Sequence, residues 1–401
     1  MTLQKTNFAE KIKNQLIICY DNSECEMINI VKTMDKKLLL VATILFLFGL
    51  VMIYSASNVT AFVVNEANPG RYFIRELLFL VSGTIGCIFA IRLHTRTYSV
   101  IAWLTVIGMG IVIACLALYG KAVNGSYSWI GYAGFGIQPS EFVKLAMIPL
   151  FATYYEFHIK DNKNLKKMIF PLIAAAIIAI LIVLQNDYGS AFIFILISAS
   201  MFFIAPVGKK IKFGVFLVGI IGIALLTFGI LVGKDNFIPM AKLERFNFVK
   251  PCERYLTTGN QLCNGYIAIH NGGLMGKGLG NSTQKYLYLP EGHTDFIFAI
   301  IMEELGVVGA ISLMLLYAYL LVRIVVTGKK ALKVSHQMMC YGVAIYFFLH
   351  IFINLGGVLG LLPLTGIPLA FMSYGGSFCW TTLIALTIVA RVNYETKKIS
   401  R

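Results

Sequence analysis

A histidine, a threonine and an aspartate stand side by side where a long apolar segment of this sequence begins. They are His293, Thr294 and Asp295, and the apolar run starts at Phe296. A carboxylate at such a boundary is costly to desolvate, so charged residues there mark functional sites more often than structural supports. A positioned carboxylate can act as a general base, by taking the proton of a reacting group. Asp295 is therefore the leading catalytic candidate, and His293 is a candidate for orienting it or for binding substrate.

Four other residues could take part in the same site. Glu141 and Lys144 are three residues apart, which puts both on one face of a helix and lets them pair. The pair has two interpretations: it pins two helices together, or it lines a cavity that binds substrate. Asp187 lies between two apolar runs, where it is an N-cap, a cavity residue or both. Trp129 is either an interfacial residue or a stacking platform for a sugar.

Four basic residues are candidates for binding a diphosphate group. Lys144 is the first candidate, and Arg75 either reaches to the membrane interface or binds an anion. Lys277 and Lys285 lie in or near the glycine-dense residues 271–282. Backbone of that kind either presents successive N–H groups to an anion or forms a flexible turn.

The elements that carry these residues are mostly membrane helices. The chain has 401 residues, of which 58% are hydrophobic and 13% charged, whereas soluble domains carry about 25% charged residues. The apolar runs predict an all-α integral membrane protein with about ten transmembrane helices. The predicted spans are 37–57, 73–93, 99–119, 140–157, 168–185, 189–206, 212–233, 296–326, 337–361 and 367–390. One long extracellular loop, at about 234–294, separates the seventh span from the eighth, and we expect it to be non-helical.

Basic residues in every second loop predict the orientation of these spans. Because Lys and Arg stay on the cytoplasmic side, both termini are predicted to be cytoplasmic. The predicted organisation is a tail at 1–36, a polytopic membrane domain at 37–392 and a second tail at 393–401. The net charge of +15 follows from this topology and from attraction to anionic lipid. It gives no support for nucleic-acid binding.

The cysteines and acidic residues show no metal-site pattern. Cys252 and Cys263 fall in the predicted extracellular loop, where a disulfide and two free thiols are both open alternatives. No ligands have zinc spacing, and no Asp-x-Asp motif is present. A divalent cation such as Mg²⁺ or Mn²⁺ is therefore left open as a cofactor.

Several motifs in one order resemble those of the SEDS family, the FtsW/RodA/SpoVE group of bacterial peptidoglycan polymerases. The FtsW branch is the more similar. The motifs are MIYSAS at 52–57, QPSE at 138–141, GKGLGN at 276–281, LPEGHTDF at 289–296, NLG at 354–356, PLTGIP at 363–368 and SYGGS at 373–377.

The resemblance implies a glycosyltransferase that joins lipid II into glycan strands outside the membrane, for cell division or growth. It implies a class B penicillin-binding protein as partner, together with divisome or elongasome membrane proteins. Asp295 matches the family's essential acidic residue. Residues of the family's polar cavity are matched by Glu141, Lys144 and Asp187, and the motifs add Gln138 and Ser377 as substrate-binding candidates.

Two other classes of function fit the same residues. A lipid II flippase would also need polar groups inside the membrane, and a non-catalytic divisome scaffold would need none. The polar loops cluster on the outer side, and no internal repeat of the transporter type is visible. Both observations favour the enzyme.

Overall fold

The computed structural model describes residues 30, 33–63, 68–120, 126–132, 135–232, 250–256 and 259–400. The helices are α1 (Lys36–Val63), α2 (Arg71–Ala90), α3 (Thr95–Tyr119), α4 (Pro139–Phe157), α5 (Leu165–Leu184), α6 (Tyr188–Ile204), α7 (Lys209–Val232), α8 (Asn260–Gly272), α9 (Ile297–Lys330), α10 (Val334–Val358) and α11 (Gly376–Ile399). Two short strands, β1 (Ile130–Tyr132) and β2 (Phe135–Ile137), form an antiparallel hairpin in which Ile130 faces Ile137. Short 3₁₀ turns cover Ile159–Asp161 and Pro251–Arg254.

Each of the ten predicted spans overlaps one of these helices. Seven of the described helices are long and apolar enough to cross a membrane: α1, α2, α3, α5, α9, α10 and α11. The chain is therefore a multi-pass helical membrane protein, and the count of ten spans stays a prediction.

The predicted extracellular loop is wrong in one respect. Helix α8 lies inside the stretch that was expected to be non-helical, and it packs against α9. Leu262 and Ala268 are buried on α8, but the helix is only 13 residues long and carries polar residues throughout, so it lacks the long apolar run that marks a membrane span. Residues 233–249 of the same stretch lie outside the described residues.

The centre of the bundle is formed by α4 and α10, most of whose residues are buried. Helix α4 packs against α3, α6 and α10, while α9 packs against α1, α8 and α10. Local signals begin two of the helices. Pro139 occupies the first turn of α4, where its missing N–H costs nothing, and Asn164 caps α5 by accepting from Lys167 N.

Helix α9 is interrupted at Gly306, whose φ of 65° and ψ of −169° are not helical. Inside a membrane, the backbone groups freed by such a break need protein partners. Residues 271–282, here named the glycine segment, supply them. The replacing bonds run from Lys277 N to Glu303 O (2.9 Å), Gly278 N to Glu304 O (2.9 Å), Val307 N to Gly273 O (3.0 Å) and Val308 N to Leu274 O (3.2 Å).

Residues assigned to the cytoplasmic side meet at one end of the bundle. Arg323 Nε donates to Asp35 Oδ2 at 3.0 Å, and Lys397 Nζ donates to Thr33 O at 2.6 Å. Arg391 donates to the carbonyl of Ile91 at 2.9 Å. This clustering agrees with the predicted loop pattern, while the side of the membrane on which this end lies stays a prediction.

Candidate functional site

Asp295 lies in the turn that precedes α9, two residues before the helix begins. Thr294 Oγ1 donates to Asp295 Oδ1 at 3.1 Å and to Glu291 Oε2 at 2.8 Å. The Asp295 side chain is half-buried, and burial raises the pKa of its carboxyl to about 7, with the nearby charge of Glu291 adding to the rise. A carboxylate with a pKa near neutrality suits general-base catalysis, because it is ionised and still basic at the working pH.

His293 is enclosed by aromatic rings beside this turn. Its ring centroid lies 4.5 Å from that of Tyr72 on α2 and 5.9 Å from that of Tyr374. Burial lowers the pKa of His293, so the imidazole is neutral near pH 7. Arg75, also on α2, hydrogen-bonds the Tyr374 side chain. The structure thus brings His293 and the predicted anion clamp Arg75 to the same corner as Asp295.

The prediction that Glu141 pairs with Lys144 is confirmed. Lys144 Nζ lies 2.5 Å from Glu141 Oε1 on α4, and both side chains are buried. The second carboxylate oxygen of Glu141 has no hydrogen-bond partner among the described residues. A buried polar group without a partner costs free energy.

A second polar cluster joins the beginnings of three helices. Asp187 caps α6 by accepting from Ser190 N at 3.1 Å, which confirms its predicted capping role. Gln138 Nε2 donates to Asp187 Oδ2 at 2.6 Å and to Ser190 Oγ at 3.2 Å. The backbone N–H of Gln138 donates to Ser377 Oγ, at the start of α11, at 3.4 Å.

One loop connects this cluster to Asp295. A Cβ atom built on Gly189 of α6 would lie 2.5 Å from the carbonyl oxygen of Thr365, and one built on Gly366 would lie 3.7 Å from Asp295 Oδ2. The loop between α10 and α11 therefore lies between the two polar groups, with Thr365 next to Gly189 and Gly366 next to Asp295. Asp187 and Asp295 belong to one region of the molecule.

Trp129, the residue just before β1, lies next to this region. The loop that holds it is fastened to the end of α5, where Tyr127 N donates to Gln185 O at 2.9 Å. Its indole is 37% exposed and packs against Gly136 on β2. Both predicted roles of Trp129, as an interfacial residue or as a stacking platform for a sugar, stay predictions.

Lys277 and Lys285 lie in a different cluster, on the glycine segment and just after it. Lys277 Nζ pairs with Glu303 at 2.9 Å, and the buried Lys285 pairs with Glu304 at 3.4 Å and also donates to the carbonyl of Gly280. The backbone N–H groups of Lys277 and Gly278 are already bonded to α9. The glycine segment is thus neither a free anion loop nor a loose turn. A role for these lysines in binding substrate stays a prediction.

The carboxylates of Glu303 and Glu304 tie this cluster to the rest of the bundle. Glu303 also accepts from Ser282 at 2.5 Å and Thr283 at 2.6 Å. Glu304 accepts from Ser55 of α1 at 2.6 Å and 2.8 Å. Among the described residues, no group of three or more His, Cys, Asp or Glu side chains could hold a metal ion.

Comparison with known proteins identifies the family. The profile of the FtsW/RodA/SpoVE cell cycle proteins matches residues 35–398. This chain belongs to the FtsW/RodA/SpoVE family.

Relatives within the family are similar over nearly their whole length. The protein named Probable peptidoglycan glycosyltransferase FtsW in Coxiella burnetii is 35% identical, over 88% of this chain and 94% of its own. The Bacillus subtilis protein of the same name is 33% identical, over 91% and 92%. Stage V sporulation protein E of Bacillus subtilis is 35% identical, over 90% and 98%. The chain is thus FtsW-like, as its motifs predict.

Solved structures share the fold of this chain. A chain from a peptidoglycan synthase complex, studied for its coordination of polymerization and crosslinking, superposes with a TM-score of 0.72 at 23% identity, over 90% of this chain and 97% of that chain. The RodA protein of Thermus thermophilus gives a TM-score of 0.64 at 22% identity, over 90% and 96%.

Three residues that contact the site were not assigned a role from the sequence. Asn354 and Ser373 hold the backbone of the Asp295 turn, and Tyr374 packs on His293. All three belong to family motifs. That membership was the available signal, but it carries no information about which backbone atoms these side chains meet.

Proposed function

We propose that this protein polymerises lipid II into glycan strands on the outer face of the cytoplasmic membrane, with Asp295 as the general base. The names of its relatives support a peptidoglycan glycosyltransferase. The observation that carries the proposal is the half-buried Asp295 carboxyl with a pKa of about 7, placed at the mouth of a membrane helix in a family motif.

The proposed reaction needs one general base and positive charge near the leaving diphosphate. The acceptor's 4-hydroxyl attacks the anomeric carbon of the donor sugar, and the bond from that carbon to the diphosphate breaks, with inversion. Asp295 takes the hydroxyl proton as the new bond forms. The electron pair leaves with the lipid diphosphate, whose growing charge is stabilised by cationic groups.

Arg75 is the best-placed candidate for the diphosphate. It hydrogen-bonds the Tyr374 side chain, which packs on His293 two residues from Asp295. The lysines are held elsewhere: Lys144 by Glu141, and Lys277 by Glu303. Arginine also binds phosphate oxygens through a planar, two-pronged group of donors.

The cluster of Gln138, Asp187 and Ser377 offers donors and acceptors for the sugar hydroxyls. Its connection to Asp295 through Thr365 and Gly366 would let one bound chain reach both groups. We further propose a class B penicillin-binding protein as partner. The similar chain with the TM-score of 0.72 comes from a peptidoglycan synthase complex, which supports this choice.

The buried pair of Glu141 and Lys144 is the observation that keeps the flippase as a second candidate, since intramembrane charges also line transport pathways. One experiment separates the candidates. Purified protein, with its transpeptidase partner, is given labelled lipid II in detergent and in vesicles. Glycan polymer supports the enzyme. Transfer across the vesicle membrane without polymer supports the flippase, and neither activity supports the scaffold.

A further inference from the structure

Three successive backbone carbonyls of the Asp295 turn, residues 291–296, each accept a hydrogen bond from α10 or from the loop before α11. Tyr374 N donates to His293 O at 3.0 Å, Ser373 Oγ donates to Thr294 O at 2.5 Å, and Asn354 Nδ2 donates to Asp295 O at 2.8 Å. The turn is irregular backbone, with Glu291 at a φ of 54°. Two bonds within the turn, from Thr294 N and Phe296 N to Glu291 O, hold one side of it, and the outside partners fix its three carbonyls.

Asn354 and Ser373 are both buried, and the two hydrogens of the Asn354 amide and the hydroxyl of Ser373 are all used in these contacts. The amide of Asn354 also donates to Ile367 O at 2.7 Å, so its two hydrogens bridge the Asp295 turn and the α10–α11 loop. The hydroxyl of Ser373 accepts from Leu369 N at 2.7 Å while it donates to the turn. Each side chain thus fixes the turn to the loop that separates Asp295 from the Asp187 cluster.

The Asp295 carboxylate has little side-chain support of its own. Among the described residues, the side chain that hydrogen-bonds it is Thr294, which belongs to the same turn and moves with it. The direction of the carboxylate is therefore set by the backbone. A displacement of about an ångström at a reacting group can cost about 100-fold in rate.

We infer that Asn354 and Ser373 are positioning residues that hold Asp295 at the distance and depth its reaction needs. The inference rests on the proposed function, because it takes Asp295 as the base. It adds that the position of the base is set through its backbone, by two neutral side chains that hydrogen-bond the carbonyls of Thr294 and Asp295.

The side-chain hydrogen bonds of Asn354 and Ser373 to the turn are here named the clamp. Loss of the clamp should change the pKa of Asp295, which a loss of stability alone would not do. Asp295 owes its raised pKa first to burial and then to Glu291. A freed turn exposes the carboxylate to water, so its pKa falls toward the ordinary value. The titratable or charged groups in contact around His293 and Tyr374 are Tyr72, Arg75 and Glu76, while α8 and α10, which also pack on the turn, carry Tyr266, His270 and His350. These groups are unchanged in a clamp variant.

The test uses the full chain in complex with its transpeptidase partner and fluorescent lipid II as substrate. Asn354→Leu keeps the size of the side chain and removes both donors, and Ser373→Ala removes the hydroxyl. We expect kcat to fall at least tenfold with KM nearly unchanged, and the acidic limb of the pH–rate profile to move to lower pH. Ser373→Thr keeps a hydroxyl and should restore both readouts.

Ser335→Ala is the matched control, because it removes a partly buried hydrogen bond of 2.7 Å to Glu156 at the other end of α10. If both clamp variants lose no more activity than this control and keep the wild-type acidic limb, the inference is overturned. If Asn354→Leu does not yield folded complex, Ser373→Ala with its threonine rescue decides. Asp295→Asn is measured alongside. An active Asp295→Asn enzyme overturns the proposed base itself, whereas an inactive one with normal clamp variants overturns the clamp alone.

Discussion

Lys144 Nζ lies 2.5 Å from Glu141 Oε1 on one face of α4, with neither side chain reaching solvent. Removing two charges from water is costly, and their attraction offsets that cost only while both are present. The two charges are thus compatible with the folded bundle only as a pair. Either charge alone would be buried without a counter-charge and would lower the free energy of unfolding.

This relationship gives the first prediction. Glu141→Ala should destabilise the protein by about 3–5 kcal/mol, because it leaves a buried ammonium without a counter-charge. The double variant Glu141→Ala, Lys144→Ala should be less destabilised than the single one. Thermal unfolding in one detergent measures both.

Glu253→Ala is the control for this comparison. It removes the exposed ion pair of Lys250 and Glu253, which has the same i,i+3 spacing and an N–O distance of 2.8 Å. An exposed pair contributes little, so the variant should unfold like wild type. Lys144→Ala is measured as well, and strictly additive losses at positions 141 and 144 would show that the buried pair does not interact.

The second prediction concerns the contact between the glycine segment and the break in α9. Gly276 has a φ of +78°, and a Cβ there would lie 2.2 Å from Glu304 O. Gly280 has a φ of +82° with nothing within 4 Å of its Cβ position. Both Ala variants carry left-handed strain of about 1–2 kcal/mol, but only Gly276→Ala adds a clash, costing a further ~1–3 kcal/mol. Gly276→Ala should therefore unfold at a lower temperature than Gly280→Ala. Equal melting temperatures would refute the contact between Gly276 and Glu304.

Much of the helical frame could be predicted from local sequence. The apolar runs predict the long helices because a membrane requires each span to be apolar and to satisfy its own backbone. Glu141 and Lys144 could be paired from their spacing, and Asp187 could be recognised as a cap. In each case, the partners lie within one turn of helix.

The long-range pairings could not be predicted in this way. Lys277 and Lys285 looked like anion ligands because the partners that neutralise them, Glu303 and Glu304, lie 19 or more residues away in sequence. Their meeting depends on the break at Gly306, which no hydropathy pattern marks. Helix α8 is too short and too polar to give the signal of a membrane span, and packing against α9 stabilises it.

The third prediction concerns Cys252 and Cys263, which the structure joins in a disulfide across 11 residues. The bond ties the Pro251–Arg254 turn to α8. Chain-entropy arguments give about 2–3 kcal/mol for a loop of this size. Mass spectrometry of unreduced peptides should find the two cysteines linked, and a reductant should lower the melting temperature. Two free thiols in protein isolated from an oxidising compartment would contradict the bond.

The last prediction concerns Asp295, whose raised pKa acts in opposite directions on activity and stability. Activity needs the ionised carboxylate, so kcat/KM should rise with pH through about 7. A carboxyl whose pKa is raised by folding contributes stability below its ordinary value of 3.8, and that contribution is lost as pH rises through about 7. Asp295→Asn is neutral at every pH, so at pH 8 it should be at least as thermally stable as wild type.

The same variant should nevertheless lose about 10²–10⁴-fold in the rate of glycan formation, because an amide does not accept the proton. Asp295→Glu should retain little activity, since its carboxylate is displaced by about an ångström. Co-purification with the transpeptidase partner separates lost chemistry from lost assembly. Polymerisation by Asp295→Asn at near wild-type rate would exclude Asp295 as the base. Asp187 and Glu141 would then be the next candidates, and Asp187 would lead because Glu141 is already neutralised by Lys144.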